Sequence, residues 1–277
     1  MASGGGEWGD ARLYPSVSRA TGSASMFVCG HPNAIVFLVA AMTLLTIDDF
    51  KPLSVTCELR YKNAFLIYDR TGQVLRDLSE TFTDIAVSAA APQQTAFQAE
   101  EGTFTLEIGV CRFTTSRFDR GAENFAKHCK AFFDSVASRL QIDVFTRIGL
   151  RFIARMDFKS LEESRAALAS MSLANLRPTK RFNSSDSPTE ILLRWEDDAI
   201  GALFRLRAES NDLKVSAPPE LRDHVPNIDK KIIGLTLDID YYTVASVERE
   251  QWDSQEWVLQ KLRIIRKEAD GILQGGK

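Results

Sequence analysis

The sequence predicts an α+β fold, in which helices back one face of an antiparallel or mixed sheet. Apolar residues alternate with polar ones in several segments, as in strands that bury one face. In other segments they recur every three or four residues, as in amphipathic helices. At 277 residues and 44% hydrophobic content, the chain is also long enough to bury a sizeable core.

The best-defined strand is predicted at residues 145–158. Every even position from 148 to 158 is apolar, and Arg147, Arg151 and Arg155 lie among the alternating residues. A period of two gives one buried face and one open face. Neighbouring arginines lie about 13 Å apart along the strand at roughly 3.3 Å per residue, too far to hold one small anion. The spacing suits a row of cross-strand ion pairs or a long acidic partner.

Residues 42–143 predict a first half with the order β-α-β-β-α. Alternation predicts its strands, and a stripe of apolar residues that step by four, three, four and four positions predicts its last helix. The predicted elements are a strand at 55–61, a helix at 69–82, a strand at 85–98, a strand at 103–114 that forms a hairpin with it across the turn at Glu101 and Gly102, and a helix at 119–140.

Residues 144–277 predict a second, loosely similar half with the order β-α-β-β-β-α. After the strand at 145–158, the S-x-x-E spacing of Ser160 and Glu163 is typical of a capped helix start. The remaining predicted elements are this helix to 173, a loop at 174–188, strands at 191–195 and 204–208 around a turn, a second long loop at 210–230, a strand at 233–242, and a long helix at 249–273 with an apolar seam.

Residues 1–41 differ from the rest of the chain. They are rich in Gly, Ser and Ala and have no period, so they predict a disordered or over-annotated extension, with Met1, Met26 or Met42 as the start. The apolar run at 34–47 has 14 residues, fewer than the ~20 that a spanning helix needs. A signal peptide, a membrane anchor or a docked segment remain alternatives for this run.

A family resemblance is carried by the segment RIGLRFIARMDF, the charged hairpin after it, the strand LTLDIDYY and the long C-terminal helix. Together they resemble a sporadically distributed bacterial family of conserved proteins of unknown function. The opening PLSVTCELRY is also similar, so the resemblance covers residues 50–275. It implies a bacterial cytosolic protein, often encoded on mobile or variable genome segments and hence linked to mobile elements or defence. It implies no known activity and supplies no catalytic residues.

Six arginines and two aspartates are predicted to share the open face of the second-half sheet. A solvated face of ion pairs, each worth ~0.2–1 kcal/mol, is one interpretation. A groove for an acidic peptide or a nucleic-acid backbone is the other. Arginine favours forked recognition of carboxylate or phosphate, but no aromatic ladder is interleaved, which weakens a single-strand nucleic-acid role. The candidate binding residues are Arg147, Arg151, Arg155, Arg194, Arg205, Arg207, Asp238 and Asp240.

Charge and motifs exclude several function classes. The net charge of −3 and the pI near 5.8 argue against a protein that coats nucleic acid by charge alone. The sequence has no Walker loop, no GxSxG, no HExxH and no GxGxxG after a strand, so no cofactor is expected. The four cysteines have no CxxC spacing and predict reduced core thiols of a cytosolic protein rather than a metal site. The histidines are scattered at His31, His128 and His224, and the cysteines at Cys29, Cys57, Cys111 and Cys129.

These observations favour a non-enzymatic interaction protein of the bacterial cytoplasm. Its expected partner is a protein encoded nearby, or another anionic molecule, bound at the charged sheet face. A homodimer through the C-terminal helix is a further expectation, because Trp252 and Trp257 lie off its seam. The alternative function is a metal-dependent phosphoesterase or nuclease-like enzyme that uses Asp238 and Asp240, although no third ligand is evident. Membrane attachment is not expected.

Overall fold

Ten antiparallel strands form one continuous sheet, and four helices share a core with one of its faces. The computed structural model describes residues 45–91, 93–171, 189–215 and 228–275, and these counts refer to those residues. The described residues belong to one compact unit. The predicted α+β class is confirmed. The predictions for residues 1–41 and for the loop at 174–188 lie outside the described residues.

The described helices and strands fall into two groups along the chain, one from each half. The first half comprises β1 Lys51–Tyr61, α1 Ile67–Ser79, β2 Ala86–Ala91, β3 Gln94–Ala99, β4 Gly102–Glu107, β5 Val110–Thr115 and α2 Ala122–Leu140. The second comprises β6 Val144–Asp157, α3 Leu161–Ser170, β7 Glu190–Glu196, β8 Ile200–Val215, β9 Ile228–Thr243, β10 Val247–Glu248 and α4 Ser254–Leu273.

Strands β1 and β6 join the two halves in the middle of the sheet. The strand order is β2-β3-β4-β5-β1-β6-β9-β8-β7, and β10 also pairs with β6. The junction runs from Lys51 opposite Arg155 to Tyr61 opposite Phe145. Because side chains alternate along each strand, this register gives the whole sheet a core face toward the helices and an open face away from them.

The core face is continuous across the β1–β6 junction. Cys57 and Leu59 of β1 and Ile148 and Leu150 of β6 are fully buried in one cluster with the helices. On the β4–β5 side the cluster is rich in phenylalanine: the Phe104 ring centre lies 4.6 Å from that of Phe113, 4.7 Å from Phe82 and 5.2 Å from Phe132. Helix α2 contacts both α1 and α4 and so lies between them.

Two helices begin at a residue whose side chain caps the first turn, and the sequence predicts the first of these caps. Ser160 accepts a hydrogen bond from the Glu163 N–H and so begins α3, as its sequence predicts. Asp253 accepts one from the Glu256 N–H and begins α4, which starts later than the predicted residue 249 because Arg249–Gln251 forms a separate 3₁₀ turn.

Two predicted segments of the first half are folded differently from the expectation. The single strand predicted at 85–98 is wrong, because the chain forms β2 and β3, with Ala86 opposite Gln98. The sequence places Pro92 between them, and proline has no N–H for a ladder. The hairpin predicted across the turn at Glu101 and Gly102 is present as β3 and β4, with Ala99 opposite Gly102. The single strand predicted at 103–114 is wrong, because the chain turns again at Ile108 and Gly109 and forms β4 and β5.

The prediction of a second long loop at 210–230 is also wrong in part. β8 continues to Val215 and β9 begins at Ile228, with Val215 opposite Ile228. Asn211, Asp212 and Leu213 are all exposed, so this segment lacks the alternation of buried and exposed residues that predicts a strand. The backbone nevertheless stays paired with β9.

The two tryptophans near α4 pack within the chain. The Trp252 ring centre lies 5.0 Å from that of Phe145, and the Trp257 ring centre lies 6.5 Å from that of Tyr241. Both side chains are half-buried, and the expected homodimer through this helix stays a prediction. None of the described helices is long and apolar enough to cross a membrane.

Gly201 of β8 gives a direct test of the packing on the open face. A Cβ at this position would lie 2.3 Å from Tyr242 Cζ, so Gly201→Ala must displace the ring. We expect a loss of about 1–3 kcal/mol in the free energy of unfolding, measured by urea titration.

Gly72→Ala is the matched control for this substitution. Gly72 lies inside α1 with no atom within 4 Å of an added Cβ, so alanine there should raise stability by about 0.5–1 kcal/mol. Equal stability of the two variants would contradict the placement of the Tyr242 ring over Gly201.

Candidate functional site

The strand register places the eight predicted site residues on the open face. β6 pairs with β9 so that Arg151 lies opposite Asp240, and β8 pairs with β9 so that Arg205 lies opposite Asp238. The alternation of side chains puts the others on the same face: Arg147, Arg155, Arg194 and Arg207.

Glu58 of β1 is the central hydrogen-bond acceptor of this face. Its Oε1 accepts from Arg60 Nε at 2.7 Å and from Arg147 Nη1 at 2.9 Å, and its Oε2 accepts from Arg112 Nε at 2.8 Å. The Glu58 side chain is only 15% exposed. Charge-assisted hydrogen bonds in such a partly desolvated place are stronger than the same bonds in water.

Arg147 of β6 extends these contacts into the second half of the sheet. Its Nη2 donates to Asp240 Oδ2 at 2.9 Å, and its guanidinium carbon lies 4.4 Å from the centre of the Tyr242 ring. Gly149 leaves the space for this side chain, because a Cβ there would lie 3.3 Å from Arg147 Nη1. A larger residue at 149 would compete with the guanidinium for the position between β1 and β9.

Tyr242 of β9 continues the contacts to the edge of the sheet. Its hydroxyl donates to Glu196 Oε2 at 2.6 Å, and Arg194 Nη2 donates to the same oxygen at 2.7 Å. The ring lies over Gly201 of β8. A connected set of polar side chains, called here the Glu58 network, therefore crosses from β5 to β7 and comprises Arg112, Glu58, Arg147, Asp240, Tyr242 and Glu196.

Arg151 and Asp238 form a separate forked ion pair. Arg151 Nε and Nη2 each donate at 2.8 Å, to Oδ1 and Oδ2 of Asp238, whose side chain is 10% exposed. The remaining candidate arginines also have carboxylate partners in the chain: Arg155 with Asp157 at 2.7 Å, Arg194 with Glu196 at 2.7 Å, Arg205 with Glu190 at 2.9 Å and Arg207 with Glu209 at 2.5 Å. All six candidate arginines are thus paired within the chain.

The pKa values of two carboxyl groups in the network are shifted in opposite directions. Burial opposes ionisation of Glu58, but hydrogen bonds from Arg112 and Arg60 outweigh it and lower its pKa below the ordinary 4.5. For Asp240, burial prevails and raises the pKa, although Arg147 and Arg151 act to lower it. Burial thus opposes ionisation of both carboxyl groups, and neighbouring arginines favour it.

Asp238 and Asp240 do not meet a third potential metal ligand. In the four described ranges, no group of three His, Cys, Asp or Glu residues could hold a metal ion. Both Asp238 oxygens accept from Arg151, and Asp240 accepts from Arg147. Guanidinium groups at these distances disfavour a cation at the same carboxylates, so no observation specifically favours phosphoester hydrolysis.

The described histidine and cysteines are packing residues. His128 lies against Phe82, with ring centres 5.0 Å apart, and burial lowers its pKa. Cys57, Cys111 and Cys129 are buried free thiols, as predicted. Burial raises the pKa of the Cys111 and Cys129 thiols, which makes them poor nucleophiles. The positions of Cys29, His31 and His224 lie outside the described residues.

A surface groove of about 670 Å³ lies where β1 ends and β6 begins. Its lining includes Tyr61 and Val144 and the charged residues Lys62, Asp69 and Asp143. The volume is within the range of ligand pockets. The sequence analysis did not identify this groove, because its lining comes largely from turns that carry no motif.

The sequence analysis also missed most of the Glu58 network. Glu58 and Arg112 alternate with buried residues, which is the signal that places them on an open face. Their meeting with Arg147 depends on the strand order, which the sequence does not state. Tyr242 supplies an aromatic ring beside an arginine, a contact that the sequence analysis did not expect.

Comparison with known proteins adds no family assignment. No protein-family model matches the chain, and no curated protein is similar enough to count as a match. The resemblance carried by RIGLRFIARMDF therefore stays a prediction.

Glu58→Gln tests the network through the pH dependence of stability. A lowered pKa in the folded state contributes stability that is present above the ordinary value of 4.5 and is lost as pH falls through the folded value. We expect the variant to be less stable than the wild type by about 1–3 kcal/mol at neutral pH, and the difference to shrink below about pH 4.5.

The measurement is urea unfolding between about pH 3 and pH 7. Glu268→Gln, at an exposed position of α4, is the control and should leave stability within about 0.5 kcal/mol of wild type. A constant difference between Glu58→Gln and wild type across this pH range would contradict the assignment of Glu58 as the ionised centre.

Proposed function

We propose that this chain is a non-enzymatic binding protein whose partner is another protein, bound on the open face of the sheet. The observation that supports this is the pairing of all six candidate arginines with carboxylates of the same chain. The open face therefore offers fixed charges of both signs rather than a uniform basic surface.

Such a face suits a protein partner better than a polyanion. A nucleic-acid backbone would have to compete with Glu58, Asp238 and Asp240 for the guanidinium groups, and these carboxylates would repel its phosphates. A protein can present carboxylates to the arginines and cations to the acids at the same time. Side chains already held by ion pairs lose little further freedom on binding, which favours affinity and specificity.

The same contacts support a binding role over catalysis. Asp238 and Asp240, the residues of the alternative phosphoesterase, are engaged by Arg151 and Arg147. We place the binding in the bacterial cytoplasm, with a partner encoded nearby, on the strength of the family resemblance and the free thiols of Cys57, Cys111 and Cys129.

Affinity purification with matched variants tests the proposal. The double variant Arg60→Ala, Arg207→Ala removes two open-face arginines that are 52% and 47% exposed. The control Arg266→Ala removes an arginine of α4 that has similar exposure, 55%, and pairs with Asp48. We expect a protein that wild type and control retain, and that the double variant retains at least about fivefold less, since hot-spot truncations cost about 1–2 kcal/mol or more.

Two results would contradict the proposal. One is equal recovery of every bound protein by all three baits, provided that their melting temperatures agree. The other is salt-dependent binding of single-stranded or duplex DNA or RNA, measured by fluorescence anisotropy at about 50 and 200 mM salt and lost in the double variant. The second result would replace the protein partner with a polyanion.

A further inference from the structure

Strand β7 is the last strand of the described sheet, and one of its hydrogen-bonding edges has no neighbouring strand among the described residues. Thr189 C=O accepts from the Ala208 N–H, and the Asp197 N–H donates to Ile200 C=O. Hydrogen-bonded pairs alternate along an antiparallel ladder, so the odd-numbered residues of β7 bond to β8. The backbone groups of Glu190, Leu192, Arg194 and Glu196 therefore point away from the sheet, and no described strand pairs with them.

The side chains of β7 do not protect this edge. Leu192 on the open face is 52% exposed, and Trp195 on the core face is 49% exposed. The strand contains no proline, and its pairing with β8 has no register shift that would twist it away. Edges of this kind are templates for the addition of another strand.

The charge pattern of β7 favours β7 of a second copy of the chain as the added strand. In a symmetric antiparallel pair, residues on the two copies face each other about a twofold axis. An axis at Leu192 places Leu192 opposite Leu192 of the second copy. It also places Glu190 opposite Arg194 of the second copy, and symmetry repeats this pair on the other side of the axis. These side chains are 41% and 64% exposed and already pair within their own chain, Glu190 with Arg205 and Arg194 with Glu196, so the contact across the axis adds a second partner to each.

The neighbouring registers are less favourable. An axis at Leu193 sets Glu190 against Glu196 of the second copy at both ends. An axis at Arg194 sets two arginines against each other at the centre. Like charges directly opposite are destabilising, whereas opposite charges contribute roughly 0.2–1 kcal/mol per pair. Of the registers that overlap five or more residues of β7, only the one centred on Leu192 pairs opposite charges.

We propose that two copies of this chain associate through antiparallel pairing of their β7 strands about a twofold axis at Leu192, which joins their sheets into one. The outward N–H and C=O groups of both copies then gain partners, and the exposed part of Leu192 is covered. The association does not rest on the partner proposed for the open face, although Arg194 takes part in both.

Cysteine cross-linking identifies the register. Hydrogen-bonded residue pairs of antiparallel strands have Cα atoms about 5.5 Å apart, within the range that a disulfide spans. In a Cys29→Ser background, we expect Leu192→Cys to give a disulfide-linked dimer under mild oxidation. Leu193→Cys and Arg194→Cys should give none, and the double variant Glu190→Cys, Arg194→Cys should give one.

The association itself is measured by sedimentation velocity of the full chain up to about 0.1 mM. Leu192→Pro removes only an outward N–H, so it should lower the dimer fraction at least tenfold while the melting temperature changes little. If this variant fails to fold, the cysteine series still decides the outcome. A monomeric wild type at this concentration, or cross-linking through Leu193→Cys instead of Leu192→Cys, would overturn the proposal.

Discussion

The ion pair between Glu58 and Arg147 is the contact on which the organisation of the open face depends. It lies on the β1–β6 junction, the place where the two halves of the sheet meet. On the core face of the same junction, Leu59 and Ile148 are buried opposite each other. The junction is therefore fixed by apolar burial on one side and by a charge-assisted hydrogen bond on the other. Gly149, which leaves space for the guanidinium, links the backbone to this contact.

The network that grows from this pair explains why the face is rich in arginine without being a basic patch. Each arginine satisfies a neighbouring carboxylate, and the pairs hold the long side chains in fixed positions. The two proposed interactions use different properties of the same sheet. The open face offers an ordered pattern of charges, whereas the β7 edge offers backbone groups that no described strand pairs with, beside Leu192 and Trp195.

Alternation and helical stripes were sufficient to predict the α+β class, the central strand and the buried stripe of α2. They failed where the pattern lacks contrast: residues 86–91 are AVSAAA, in which small side chains give no clear period. They failed again at the ends of β8 and β9, where backbone pairing continues between polar residues. The eight site residues could be placed on one face because alternation is local. Their partners could not, because Glu58 and Arg147 are 89 positions apart and only the strand order brings them together.

The central claim, that Glu58 and Arg147 are coupled across the junction, is tested most directly by a double-mutant cycle. The free energy of unfolding is measured for wild type, Glu58→Ala, Arg147→Ala and the double variant at neutral pH. The account predicts that the sum of the two single losses exceeds the loss in the double variant by about 1–2 kcal/mol. Each single variant already loses the contact, so the sum counts it twice. Additive losses, within about 0.3 kcal/mol, would contradict it.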